Sequence, residues 1–224
     1  MPERPANASG ISPTAHGAPK LLNHRVQMLR KTHGFSLVEL LVVMAIVLVL
    51  YASMYGHGSA SGQAKRRAQC VQQLQQMHTM LALFAGEHDG AFPAARGPTA
   101  EGALSQLVPL YTTDTGVFIC PGSGDSALPG AVPFADRRIS YAYCAGLKRD
   151  ADPGALLVAD ALASTGAKLS GDPLFSTTGH APGRNHRTAG GNLLFVDGHV
   201  EMSGSIAVRA LPIPAGATLL NPKP

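Results

Sequence analysis

Hydrophobic and polar positions fall into three regimes along the chain. Residues 35 to 51 are nearly unbroken apolar side chains, and 35 to 55 predict a hydrophobic helix of 21 residues. A bilayer span takes roughly 20. "GHGSASGQ" follows, with Gly56, Gly58 and Gly62. Each glycine costs about 1 kcal/mol against alanine inside a helix, which makes this stretch a soft joint. From 64 to 88 the pattern turns amphipathic. Val71, Leu74, Met77, Leu81 and Phe84 recur at three- and four-residue steps with Gln and Arg between them, the spacing of a helix with one buried face. "HDG" stops it, with Gly90 suited to a left-handed cap. If continuous from Phe35 to His88, such a helix would be about 80 Å long.

After Pro93 the periodicity shortens. "EGALSQLVPLY" (101–111) reads as a short helix and "GVFICP" (116–121) as a short strand or extended piece. "ISYAYCAG" (139–146) and "ALLVADA" (155–161) read as strands. "GNLLFVDGHVEMS" (191–203) is two apolar runs around Asp-Gly, the strongest short hairpin signal, because a two-residue turn asks for positive φ at both positions. The Pro-rich tail "ALPIPAGATLLNPKP" reads as irregular. This order predicts an α+β fold: a long N-terminal helix, half apolar and half amphipathic, packed on a small antiparallel sheet.

Composition changes little in this picture. Gly (25) and Pro (17) are abundant, which fits a loop-rich domain, and no Trp is present, so Leu, Val, Ala and Met must fill the core. Charge changes more. The net +4 sits in residues 1–34, where Arg4, Lys20, Arg25, Arg30 and Lys31 face one acid, Glu3, and the remainder balances. A nucleic-acid-binding domain would concentrate charge on its folded part, so no nucleic-acid partner is expected. Basic residues before an apolar run place the N-terminus in the cytoplasm. Lys65-Arg66-Arg67 beyond the run reads as a solvated helix face, or as a contact with lipid headgroups or a neighbouring subunit's acids.

Cys70, Cys120 and Cys144 form no CxxC pair, which argues against a cysteine-based zinc site. They read either as three buried thiols or as one disulfide, Cys120 with Cys144, plus a free Cys70 in the helical pattern. His186, Asp197 and His199, with Asp160 nearby in the fold, are residue types that suit a divalent cation. Against that, Asp197-Gly198 is accounted for by the turn, and His186 by pinning the loop before the strand. No nucleophile–base pair or phosphate loop stands out, so the chain is not expected to be an enzyme and requires no cofactor.

One charge remains to be explained. Glu39 lies five residues into the apolar run, in "GFSLVE", preceded by Gly34 and Phe35. A secretory signal would end in a small-residue cleavage site, for which "GSA" at 58–60 serves weakly. A carboxylate near the membrane centre costs about 2.5–3.5 kcal/mol, so it is kept where it finds a partner. Snorkelling to the headgroups is the plain alternative. Gly, an aromatic residue, Val-Glu and some 15 apolar residues closely resemble the N-terminal motif of type IV prepilins and type II secretion pseudopilins. That resemblance implies cleavage between Gly34 and Phe35 by a prepilin peptidase/methyltransferase, with Phe35 as the N-methylated terminus. It implies that Glu39 pairs with the terminal amine of another pilin-like subunit. It also implies an inner-membrane assembly platform as partner and single-pass insertion in the inner (cytoplasmic) membrane, with the C-terminal domain periplasmic.

"FP" (92–93), "LVPLY" (107–111), "VFICP" (117–121), "SYAYC" (140–144) and "NHRTAGGNLLFVDGHVE" (185–201) together resemble the pseudopilin-like family of planctomycete- and verrucomicrobia-type bacteria. Its members end in His, nine residues, then Asp-Gly; here ten residues separate His186 from Asp197. The division expected is a cleaved leader (1–34), a transmembrane helix (35–55), its amphipathic continuation (56–90) and a pilin-like globular domain (91–224). The function expected is a structural subunit of a type II secretion pseudopilus or type IV pilus-like filament. The alternative is a membrane-anchored periplasmic metal-binding protein or enzyme using His186, Asp197 and His199.

Overall fold

A computed structural model describes residues 35–55, 60–126 and 132–224 of the 224-residue chain. Two compact units divide at Leu50 and Tyr51. The expected leader, Gly34 and the joint glycines Gly56 and Gly58 lie outside the described residues.

Helix α1 runs over Leu37–Tyr55. The carbonyl of Ser36 accepts the first helical bond, from the Leu40 N–H at 3.1 Å. That makes Ser36 the N-cap and puts Glu39 three residues on, the spacing of a capping box. Glu39 is also the acid of the first turn, where the helix dipole favours negative charge. The apolar side chains from Leu37 to Tyr51 that flank it are exposed on every face, from Leu37 at 81 % to Val43 at 47 %. Among the described residues no helix is long and apolar enough to cross a membrane. The helix begins two residues later than the pattern predicts and holds 19 residues, about 28 Å of rise against a hydrocarbon core of about 30 Å.

In the second unit, α2 spans Ala60–Glu87. Its buried stripe is Cys70, Leu74, Met77, Leu81, Phe84 and Ala85; Val71 stands at the margin and Cys70 faces the core in its place. Burying each large apolar side chain contributes about 1.5–3 kcal/mol. The helix stops where the sequence indicates, with Gly90 at φ +78° and its N–H bonded to the Ala85 carbonyl at 2.9 Å.

The stripe packs on a five-stranded antiparallel sheet. Its strands are β1 (Tyr141–Ala145), β2 (Leu156–Asp160), β3 (Gly191–Phe195), β4 (Val200–Ser203) and β5 (Thr218–Leu220), in the order β4-β3-β2-β1-β5. The α+β expectation of a helix on a small antiparallel sheet therefore holds. The three inner strands are buried along their whole length, as strands covered on both faces are. Segment 101–111 is α3 (Ala100–Leu104) followed by a 3₁₀ turn.

Three readings need correction. Residues 115–118 form a 3₁₀ turn and not a strand, because the Asp114 carboxylate caps the Gly116 N–H at 2.8 Å. The tail is not wholly irregular: Tyr143 pairs with Leu220 and Cys144 with Leu219, so β5 closes the β1 edge. The Asp-Gly hairpin has positive φ only at Gly198 (+90°). The Phe195 carbonyl accepts from the Gly198 N–H at 2.9 Å, and the Phe195 N–H donates to the His199 carbonyl at 3.1 Å. This is a three-residue loop whose third residue is left-handed, not a two-residue turn.

Candidate functional site

Two regions carry the candidate residues. Of the N-terminal set, Phe35, two residues before α1, and Glu39, in its first turn, are exposed, while Gly34 is outside the described residues.

The second region is interior. Four chain segments meet where α2 crosses the sheet: α2 supplies Cys70, the loop after the 115–118 turn Cys120, the end of β2 Asp160, and the loop before β3 His186. All four are buried, and their ligand-type atoms lie within 4.8 Å of one another. The Cys70 thiol donates to Asp160 Oδ1 at 3.3 Å. His186 Nε2 sits 3.3 Å from Cys120 Sγ and 3.5 Å from Asp160 Oδ2. Around them, Asn185 Nδ2 donates to Asp160 Oδ1 at 2.7 Å. The Asn192 N–H and Nδ2 donate to Oδ2 at 2.7 and 3.1 Å. The Tyr141 hydroxyl lies 3.2 Å from Cys70 Sγ and donates to Gln73 at 2.8 Å.

A buried carboxylate is expensive unless its lone pairs are met, and Asp160 draws N–H donors from both flanking asparagines. The bond with Cys70 pulls the Cys120 thiol down to about 7, against the opposing effect of burial and with help from His186. Burial chiefly drives Cys70 the other way, far up. Burial opposes charge on His186, but Cys120 and Asp160 outweigh it and its pKa is raised. Chemically the cluster holds a soft sulfur pair, an imidazole and a carboxylate, sealed from solvent. Close backbone approach fixes the imidazole: a Cβ on Gly122 would stand 2.3 Å from His186 Nδ1.

The proposed cation set of His186, Asp197 and His199 is not assembled. His186 is in the core, whereas Asp197 and His199 pair with each other in the exposed hairpin loop. There the His199 backbone N–H and then its ring hold the Asp197 carboxyl below its ordinary value. Of the residue types the sequence offered for a cation, the structure brings together His186 and Asp160, with Cys70 and Cys120 beside them. The disulfide expectation also changes. All three cysteines are free thiols, and Cys120 has Cys70, not Cys144, as its neighbour. Cys144 is buried in β1, and burial raises its thiol to about 11. No linear spacing announced the cluster, since its members are at least 26 positions apart. The signals were Cys70 within the helical pattern of α2 and the naming of His186 and Asp160 as cation-suited residue types.

The basic run after the apolar segment is mixed in character. Lys65 and Arg66 are exposed, but Arg67 is half-buried. Its guanidinium donates to the carbonyls of Ala189, Gly191 and Ser203 at 3.0–3.1 Å. It ties α2 to the β3–β4 ladder and is not a solvated face.

The prokaryotic N-terminal methylation motif matches residues 29–55. No curated protein and no solved structure matches the chain. The matched segment contains Gly34, Phe35 and Glu39, the residues the sequence singled out, and the motif supports processing by a prepilin peptidase. That N-terminal segment supports a type IV prepilin- or pseudopilin-like protein.

Proposed function

We propose that the chain is a non-enzymatic structural subunit of a pilus-like or type II secretion pseudopilus filament, anchored in the inner membrane before assembly. The observation that carries this reading is α1. It is apolar on every face and bears one charge, Glu39, in its first turn. A helix hydrophobic all round needs lipid or other helices around it. A segment slightly short for the bilayer is accommodated by local thinning or by association with other helices, and both suit a subunit that passes from membrane to filament.

After cleavage before Phe35, the new α-amine could carry positive charge opposite a neighbour's Glu39. In a low-dielectric bundle that pair is directional and fixes the stagger between helices. An assembly platform and prepilin peptidase/methyltransferase are the implied partners, with the 91–224 domain displayed outside the membrane.

Glu39→Ala tests the reading. It should leave membrane insertion intact and abolish recovery of sheared, sedimentable polymer; polymer in normal yield from the variant would contradict it. The rival reading, an anchored enzyme or metal protein built on His186, Asp197 and His199, draws no support from their placement.

A further inference from the structure

We propose that Cys70, Cys120, Asp160 and His186 form a structural zinc site that staples α2 to the sheet. The donor set is two thiols, one imidazole and one carboxylate. Zinc takes such a set in tetrahedral geometry, with metal–ligand bonds of about 2.0–2.3 Å. A tetrahedron with those bonds has edges of about 3.3–3.8 Å. The distances Cys120–His186 (3.3 Å) and His186–Asp160 Oδ2 (3.5 Å) fall within it, and Cys70 lies 3.3 Å from the other carboxylate oxygen, Oδ1. Calcium is a poor fit, because it wants six to eight oxygens and the cluster offers one carboxylate.

The surroundings resemble an outer shell. Asn185 and Asn192 orient the Asp160 carboxylate, and Tyr141 sits against the Cys70 sulfur. Such partners set ligand orientation and affinity. Gly122 makes room for the imidazole, since a Cβ there would collide with it. Four protein donors leave no open position, and burial leaves no route for a substrate, so the role is structural. On binding, each thiol releases its proton to solvent as its Zn–S bond forms, and His186 binds as the neutral ring through Nε2.

The site stands whether or not the chain polymerises, so its test is separate. Full-length protein purified in detergent without chelator should contain about one zinc per chain. Cobalt(II) exchange should give a thiolate-to-cobalt charge-transfer band and tetrahedral visible absorption. Cys120→Ser and Asp160→Asn should lose the metal, while Cys144→Ala and His199→Ala keep it. If the first two variants fail to fold, the wild-type cobalt spectrum alone decides. Zinc below about a tenth of an equivalent after zinc-supplemented purification overturns the proposal. So does retention of the metal in a Cys70→Ser/Cys120→Ser double variant, or a Cys70–Cys120 disulfide-linked peptide in the native protein.

Discussion

The Cys70 thiol of α2 donates to Asp160 Oδ1 at the end of β2 across 3.3 Å, with both side chains fully buried. Helix and sheet are therefore joined by a polar contact as well as by apolar packing. Asp160 is its hub, since Asn185 and Asn192 also point their N–H groups at it. Asp160→Ala would orphan those donors, each at about 1–3 kcal/mol. In chelator-treated protein we expect a loss of about 3 kcal/mol or more, read from the urea midpoint by tyrosine fluorescence. A loss under about 1 kcal/mol would show that the network is not needed for the fold.

Arg67 makes a second tie. Its three carbonyl acceptors belong to the start of β3, the end of β4 and the preceding loop. Arg67→Met should cost about 2 kcal/mol, because charge-assisted bonds are lost and backbone acceptors are left under-satisfied. Arg66→Met, at an exposed neighbouring position, should change stability by less than about 0.5 kcal/mol. Equal effects would return the basic run to a solvated face.

Gly198 is held at φ +90°, and a Cβ there would come within 2.7 Å of the His78 ring. His78 Nε2 in turn contacts the Val196 carbonyl at 3.1 Å. Gly198→Ala should destabilise by about 1–3 kcal/mol from backbone strain. Pairing it with His78→Ala should recover the part due to the clash, measured as a double-mutant cycle.

The Asp197 carboxyl titrates below its ordinary value because the His199 backbone and ring hold the ionised form. A depressed folded-state pKa means that the stabilisation is present above the unfolded pKa and is lost as pH falls through the folded one. The hairpin should therefore weaken only in the acid limb, below the ordinary aspartate range. His199→Ala should move the Asp197 midpoint upward by NMR, though not fully to the ordinary value, since the backbone donor remains.

Elements that depend on neighbours in sequence were legible. The stripe from Leu74 to Phe84 gave α2, and the apolar runs around Asp197-Gly198 gave the β3–β4 hairpin. β5 was not, because the prolines and glycines around Thr218–Leu220 mask three residues whose strand character comes from pairing with β1. The interior cluster was legible only in part, through His186 and Asp160. Cys70, Cys120, Asp160 and His186 meet through the chain's tertiary path, and Asn185 and Asn192 acquire a role only once Asp160 is buried between them. The motif around Gly34, Phe35 and Glu39 was legible, because the match over residues 29–55 is to a linear pattern that needs no fold.

The central claim is that this linear motif is used. Mass spectrometry of protein isolated from membranes should find a mature chain that begins at Phe35, with its amine methylated and Glu39 fifth in line. A chain that keeps residues 1–34, or one cut after "GSA" to begin at Ser61, would contradict it.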